Sequence, residues 1–256
     1  MGDGIVREDH LQLNRHGDSL RTRRYRNSVD HEADTTRSSR TFKPRRRRLG
    51  RRRATLHAEL LPRFGLAETG SPIDLRSLFE PGATVCLEVG SGNGDVASHV
   101  ARHLPDMSIV SVDVHRPGIA RLLDDVDTYE LTNLRVVEGD ALVFVERVVA
   151  SSLDEIWIFF PDPWPKNAQA HRRLLTPERI TRLARVLREG GILRVATDVD
   201  SYAVSIERNL RDSGLFESPG VDRPVWRIET AFERAGREAG RSSIDLSAVR
   251  NGVNVD

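Results

Sequence analysis

Cysteine is almost absent from this 256-residue chain, in which Cys86 stands alone. One cysteine excludes an internal disulfide framework and any zinc site built from cysteines. Long apolar runs are lacking as well: no stretch approaches the ~18 residues that cross a bilayer, and the N-terminus has no apolar segment typical of a secretory signal. These absences favour a cytoplasmic protein with no membrane and no metal partner, which we expect to be a monomer or a weak homo-oligomer.

Charge is distributed unevenly along the chain, although the formal net charge is only +1. Residues 1–53 carry 16 Lys and Arg against 7 Asp and Glu, a balance of +9, and the rest of the chain carries −8. Residues 37–53 hold ten bases and no acid, a pattern typical of an arm that binds polyanions through arginine forks. We predict a disordered, basic N-terminal arm over 1–53 and one folded domain over 54–256. A solubilising N-terminus is the alternative.

Apolar runs alternate with amphipathic segments beyond residue 54, which predicts an α/β fold with a doubly wound, mostly parallel seven-stranded sheet and helices on both faces. The predicted strands are Thr84–Val89, Ser108–Asp113, Leu134–Glu138, Glu155–Phe160, Ile192–Thr197 and, more weakly, Val225–Glu229 and Ile244–Val249. The predicted helices are Gly94–Leu104, Arg116–Asp125, Leu142–Ala150, Pro177 to Gly191, and Tyr202–Asp212.

Ligands of such a sheet bind beyond the carboxyl ends of its strands. The first predicted strand ends with Glu88 and Val89, and glycines follow at alternate positions, Gly90, Gly92 and Gly94, which allow a tight turn and close approach of a ligand. This spacing differs from the dinucleotide pattern G-x-G-x-x-G. An acid at this turn would repel a pyrophosphate, whereas it suits a ligand with an ammonium group.

The next two strands also end in acids. Asp113 can accept hydrogen bonds from ribose hydroxyls, or it can act as a helix cap. Asp140 can accept a hydrogen bond from an adenine amino group, or it can cap the next helix. Acids at three consecutive strand ends indicate a nucleoside with a cationic tail. The predicted cofactor is therefore S-adenosyl-L-methionine rather than a nicotinamide dinucleotide.

The fourth predicted strand runs into the segment FPDPWPK, residues 160–166. Prolines fix the chain on both sides of Asp162, so this acid is expected at the site and not in the core. Trp164 could stack on a substrate base or pack in the core. Lys166 adds positive charge beside the predicted site, unless it belongs to a solvated loop face.

These motifs, together with HRRL at 171–174, Thr197-Asp198 and Thr230-x-Phe232-Glu233, resemble the bacterial tRNA (guanine-N7-)-methyltransferase family over about residues 40–248. The resemblance implies a Rossmann-like class I methyltransferase fold. It also implies methyl transfer from S-adenosyl-L-methionine to guanine 46 in the variable loop of tRNA. One departure removes positive charge near the RNA, since Ala231 stands where the family usually has lysine.

The resemblance also assigns residues to two roles. Cofactor contacts are implied for Glu88, Gly90, Gly92, Gly94, Asp113, Asp140 and Asp162. Contacts to tRNA are implied for Lys166, Asp198, Thr230, Phe232 and Glu233. Asp162 is in addition the catalytic residue, and we expect its carboxylate to accept hydrogen bonds from the pairing edge of the guanine.

Three alternatives stay open at the level of sequence. An amino-group methyltransferase acting on adenine or cytosine has a related proline-rich motif after the fourth strand, and a small-molecule methyltransferase is disfavoured only weakly by the arginine block. A non-catalytic RNA-binding module on the same fold is the third, although acids at all three strand ends argue against loss of the cofactor site.

Overall fold

The structure is a computed structural model that describes residues 41–42 and 49–255. The strands of its sheet are β1 (Thr84–Val89), β2 (Met107–Asp113), β3 (Leu134–Glu138), β4 (Leu153–Phe159), β5 (Leu187–Thr197), β6 (Gly220–Val221) and β7 (Ile244–Val249). The helices are α1 (Arg51–Phe64), α2 (Asp95–His103), α3 (Arg116–Thr128), α4 (Ala141–Arg147), α5 (Pro177–Val186), α6 (Asp200–Ser213) and α7 (Ala231–Glu238). Short 3-10 helices cover Leu75–Leu78 and Asn167–Arg172.

The seven strands have the order β3-β2-β1-β4-β5-β7-β6. The first five of these pair in parallel, whereas β7 runs antiparallel to both β5 and β6. The connections run outward from β1 to β3 and then return to place β4 on the other side of β1. A crevice for ligands is expected at this reversal, between the carboxyl ends of β1 and β4.

The sheet separates two apolar cores, as the alternation of side chains along a strand requires. On β1, Val85 and Leu87 pack on the side of α4, α5 and α6, and Cys86 packs on the side of α1, α2 and α3. Both faces of the central strands are covered by helices. This confirms the predicted doubly wound α/β fold and explains why the central strands are nearly continuous apolar runs.

Two predictions about the second half of the chain are wrong, and one helix is missing from them. Helix α5 ends at Val186, and β5 starts at once with a bulge at the point where Gly190 has φ +72°. The segment predicted as a strand over Val225–Glu229 is irregular, because the amide of Arg227 donates to the Pro224 carbonyl and closes a turn. The sixth strand lies earlier, and helix α7 was not predicted at all.

The N-terminal boundary also differs from the prediction at 54. Residues 51–53, assigned to the arm, form the first turn of α1, whose Leu60 is buried. The rest of the predicted arm lies outside the described residues, apart from 41–42 and 49–50. No helix in the described part of the chain is long and apolar enough to cross a membrane.

Candidate active site at the carboxyl ends of the strands

A cavity of about 570 Å³ opens at the carboxyl ends of β1, β2, β4 and β5, a volume within the range of cofactor and ligand pockets. Carboxylates dominate its polar wall. The acids that line it are Glu88, Asp95, Asp113, Asp140, Asp162 and Asp198. The four acids predicted for the cofactor are therefore brought into one pocket, as the positions of the strand ends require.

The turn after β1 depends on glycine for its backbone conformation. Gly90, Gly92 and Gly94 have φ of +80°, +59° and +78°, values that side chains with a Cβ rarely adopt. Gly90 and Gly92 line the cavity, whereas Gly94 lies behind it and caps α2. A Cβ on Gly94 would overlap the side chain of Leu122, so this glycine serves the contact between α2 and α3.

Glu88 is the most deeply buried acid of the pocket, with 3% of its surface exposed. The hydroxyl of Ser111 donates a hydrogen bond of 2.8 Å to its Oε2. Burial raises the pKa of Glu88 to about 7; the Ser111 hydrogen bond opposes this shift, and the negative charges of Asp113 and Asp95 add to it. A cation in the pocket would favour the ionised carboxylate.

Asp113 connects the end of β2 to the glycine turn. One carboxylate oxygen accepts the amide of Gly92 at 2.6 Å, and the other accepts the amide of His115 at 2.7 Å. Burial raises the pKa of Asp113, and these backbone hydrogen bonds partly offset the rise. Gly118 in α3 lies directly against this turn, since a Cβ at Gly118 would overlap the carbonyl oxygen of Gly92.

Asp140 has the capping function that the sequence left open, and its position is compatible with a ligand contact as well. Its carboxylate caps α4 by accepting the amide of Leu142 at 2.9 Å, and the residue also lines the cavity. Its own amide donates to Glu68 Oε1 at 2.6 Å. The cap leaves capacity on the same carboxylate for a second donor.

The turn that carries Asp162 is conformationally unusual. Prolines precede and follow this residue, and beyond them Phe160 and Trp164 have φ of +53° and +42°. Left-handed backbone at bulky residues costs about 1–3 kcal/mol each and is concentrated at functional sites. Asp162 lines the cavity, so the strained turn holds its carboxylate at the pocket wall.

Trp164 is buried and does not line the cavity. Its indole nitrogen donates to the Thr41 carbonyl at 2.8 Å, and the guanidinium of Arg172 stacks 3.7 Å from its ring. Thr41 and Phe42 themselves line the cavity. Of the two roles considered for Trp164, the structure shows the packing one, which holds a segment from near the N-terminus against the pocket.

Three of the residues predicted for the substrate meet at the other end of the cavity. Asp198 follows β5 and accepts a hydrogen bond of 2.7 Å from Arg241 Nε. Thr230 caps α7 by accepting the amide of Glu233. Phe232 is 54% exposed, and its ring lies 5.3 Å from that of Phe160. These three residues line the cavity together with Arg241.

Glu233 and Lys166 do not lie on the cavity wall. Glu233 is buried in an ion-pair cluster, where Arg227 donates two hydrogen bonds of 3.0 Å and Arg223 and Ser243 donate others. The pKa of Glu233 falls to about 2, because these hydrogen bonds outweigh its burial. The carboxylate oxygens of Glu233 are thus engaged within the protein. Lys166 is exposed, on the segment that follows the Asp162 turn.

Several residues of the pocket were not predicted, because nothing in the sequence pattern marks them. Arg241 stands in a polar segment and meets Asp198 across 43 residues. His115 lines the cavity, and its Nδ1 lies 3.0 Å from the Gly92 carbonyl. Ser91 has a buried hydroxyl without a hydrogen-bond partner in the described part of the chain. A buried orphan hydroxyl in a loop that lines a pocket fits a site completed by a polar ligand.

Comparison with known proteins defines the class to which this fold and site belong. Residues 82–246 match the family model described as a putative methyltransferase. Among solved structures, the 16S rRNA methyltransferase KamB superposes with a TM-score of 0.53 at 21% identity, covering 69% of this chain and 91% of KamB. The chain is thus a methyltransferase by family and has the predicted Rossmann-like class I fold.

Relatives with known names show which kind of methyltransferase family the chain belongs to. A tRNA (guanine-N(7)-)-methyltransferase of Nitrosomonas europaea is 40% identical over 198 residues, which are 76% of this chain and 88% of the relative. The enzyme of the same name from Streptomyces avermitilis is 38% identical over 213 residues, covering 81% and 73%. The chain belongs to the tRNA (guanine-N(7)-)-methyltransferase family, as its motifs predicted.

Proposed function

We propose that this protein transfers the methyl group of S-adenosyl-L-methionine to N7 of a guanine in tRNA, and that the target is guanine 46 in the variable loop. The observation that carries the proposal is the single cavity in which strand-end carboxylates and the strained Asp162 turn meet. The names of the relatives give the reaction class, and the motif resemblance gives the position in tRNA.

The cofactor side of the cavity comprises the glycine turn, Glu88, Asp113 and Asp140. Glu88 faces the cationic part of the donor, and Asp113 and Asp140 accept hydrogen bonds from its nucleoside. Gly90 and Gly92 allow close approach of the backbone, and Gly94 supports the turn from behind. The bound donor supplies a methyl group on a sulfonium, which is transferred by in-line displacement.

Asp162 orients the guanine in this proposal. Guanine N7 has a free lone pair and no proton, so the transfer needs no general base. The pairing edge of guanine has an N–H and an amino group, and the Asp162 carboxylate accepts hydrogen bonds from both. It also stabilises the positive charge that develops on the purine, an electrostatic effect that is worth most at a fixed site of low polarity. Positioning of the two reactants supplies the remaining rate enhancement.

The RNA side of the cavity comprises Asp198, Thr230, Phe232 and Arg241. Phe232 offers an exposed ring for stacking, the usual way in which unpaired bases are held by proteins. Thr230 and Asp198 offer groups for hydroxyl or base contacts, and Glu233 holds α7 in place from behind. Lys166 and the bases within residues 37–53 supply further contacts to phosphates. Binding of tRNA is therefore expected to weaken steeply with salt.

The test is incubation of the protein with labelled S-adenosyl-L-methionine and unmodified tRNA, followed by nucleoside analysis and mapping of the product. The expected product is 7-methylguanosine at position 46. Methylated adenosine or cytidine would instead support the amino-group alternative. Binding of tRNA without cofactor binding and without any methylated product would support a non-catalytic module.

Asp162→Asn tests the proposed catalytic residue. Loss of one preorganised electrostatic group costs about 10²–10³ in kcat, whereas cofactor affinity measured by calorimetry is expected to change only a few-fold. Asp212→Asn is the matched control, because Asp212 is exposed on α6 and does not line the cavity. Unchanged methylation by Asp162→Asn would refute the role of this residue.

A further inference from the structure

The wall of the cavity holds six carboxylates, and these would repel the phosphates of an RNA substrate. The phosphates on either side of a target nucleotide must come close to this wall when the base enters. Within residues 41–42 and 49–255, the only Lys or Arg that lines the cavity is Arg241. Arg241, on the RNA side, is therefore the cationic side chain of the described wall to which a phosphate can bind.

The guanidinium of Arg241 is only partly used by the protein. Its Nε donates to Asp198 Oδ2 at 2.7 Å, and the two terminal amino groups have no hydrogen-bond partner among the residues that the structure describes. The Arg241 side chain is 47% exposed, whereas that of Asp198 is 14% exposed. A guanidinium anchored at Nε presents its two remaining amino groups as a planar fork, the geometry that matches two phosphate oxygens.

Neighbouring arginines are engaged in a different way. Arg227 is fully buried against Glu233 and Asp245, and Arg173 donates to the Pro163 carbonyl at 3.0 Å. Their donors already have partners within the protein. Arg241 differs from them because only its Nε is hydrogen-bonded within the described residues, and its side chain is half exposed.

Helix α7 is shaped around the pair formed by Arg241 and Asp198. A Cβ on Gly236 would lie 3.2 Å from Asp198 Oδ2 and 3.4 Å from a terminal nitrogen of Arg241. Glycine at this position thus leaves room for the pair beside the helix. Asp198 in turn fixes the direction in which the fork points.

We propose that Arg241 binds a phosphate adjacent to the methylated guanine through its two terminal amino groups, with Asp198 as the positioning residue that aims the fork. This inference rests on the proposed function, because it names the RNA contact of the same site. Arg241 thereby offsets the repulsion between the acidic cavity and the RNA backbone.

The experiment compares Arg241→Gln with Arg237→Gln in the full-length protein, using unmodified tRNA at several salt concentrations. Arg237 lies in α7, four residues before Arg241, pairs with Glu229 and does not line the cavity. Arg241→Gln is expected to raise the KM for tRNA about tenfold, as expected for loss of a charged hydrogen-bonded contact. It should also reduce the slope of log K against log salt by about 1. Cofactor affinity should not change.

Two further variants separate a phosphate contact from a structural ion pair. Arg241→Lys keeps the charge without the fork. It should therefore have the wild-type salt slope, with a KM for tRNA between those of the wild type and Arg241→Gln. Asp198→Asn keeps the charge of Arg241 and should also leave the slope intact. If Arg241→Gln lowers cofactor affinity and thermal stability instead, Arg241 is structural and the proposal is overturned.

The remaining outcomes are equally decisive. A wild-type KM and salt slope in Arg241→Gln would overturn the phosphate contact, as would equal effects from Arg237→Gln. Failure of the proposed function looks different, because the wild-type protein would then form no 7-methylguanosine. In that case the salt dependence of tRNA binding still compares the two arginine variants by filter retention.

Discussion

Buried acids lie on the cofactor side of the cavity and behind its RNA side, but their charges are balanced differently. On the cofactor side, burial raises the pKa of Glu88 to about 7 and raises that of Asp113. Behind the RNA side, arginine partners lower the pKa of Glu233 to about 2. Glu88 and Asp113 form no salt bridge within the described residues, so a ligand can supply the positive charge, whereas Glu233 is already paired with arginines of the protein.

The largest expected effect concerns the ion-pair cluster behind the RNA side. Arg227→Met would leave Glu233 and Asp245 buried with weaker compensation, and removal of one partner from a buried ion pair costs about 3–5 kcal/mol. The free energy of unfolding from urea denaturation is the measurement. Any protein that still folds should bind the cofactor with nearly unchanged affinity, since the cofactor side shares none of these residues.

The control for this variant is Arg211→Met. Arg211 forms an exposed pair with Glu207 one turn away in α6, and such pairs contribute about 0.3–0.5 kcal/mol. Equal destabilisation by the two variants would mean that the buried cluster is no more important than a surface pair.

The sequence predicts the two sides of the cavity unequally, for a physical reason. Glu88, Asp113 and Asp140 each lie within two residues of the end of an apolar strand, and parallel strands bring their ends to one edge of the sheet. Arg241 has no such marker, because its partner Asp198 is 43 residues away in the chain. Local sequence patterns therefore identify site residues that are positioned by the ends of strands. They miss site residues, such as Arg241, that are positioned by ion pairs between distant parts of the chain.

Helix α7 shows the same limit at the level of the fold. Thr230 and Glu233 have the T-x-x-E spacing of a capping box, and Thr230 does cap the helix. The Glu233 side chain, however, turns to Arg227 and Arg223, both from the preceding segment. That segment looks like a strand in sequence, but it forms no sheet ladder, and its buried Arg227 pairs with Glu233 of α7 and Asp245 of β7.

Glu88→Gln tests the missing charge on the cofactor side. The folded protein holds the pKa of Glu88 at about 7, above its ordinary value of 4.5, so it binds more protons than the unfolded chain between these pH values. The free energy of unfolding should fall by about 3 kcal/mol as pH rises through this window and stay low above it. The glutamine variant lacks this dependence.

The measurement is urea denaturation of both proteins at pH 5 and pH 8. The variant is expected to gain stability relative to the wild type at pH 8, and calorimetry should show a large loss of cofactor affinity. A variant that binds the cofactor normally would mean that Glu88 does not face its positive charge. An unchanged stability difference between the two pH values would contradict the raised pKa.

The smallest effects come from two helical glycines, one behind each side of the cavity. In Gly118→Ala the new Cβ would overlap the Gly92 carbonyl oxygen. Backbone yields poorly, so we expect about 1–3 kcal/mol of destabilisation and weaker cofactor binding. In Gly236→Ala the new Cβ meets the ends of two side chains at 3.2 and 3.4 Å. Side chains can move by this amount, and alanine is the better helix former by up to about 1 kcal/mol.

Gly236→Ala should therefore leave stability unchanged or slightly higher and raise the KM for tRNA two- to threefold, because displacement of Asp198 and Arg241 disturbs the RNA side alone. Gly118→Ala should raise the dissociation constant of the cofactor and leave the KM for tRNA at saturating cofactor nearly unchanged. Each variant is the control for the other, since both add one methyl group to a helix. If either variant changed the dissociation constant of the cofactor and the KM for tRNA by the same factor, the two sides would respond as one unit. That result would contradict the prediction that Gly118 affects only the cofactor side and Gly236 only the RNA side.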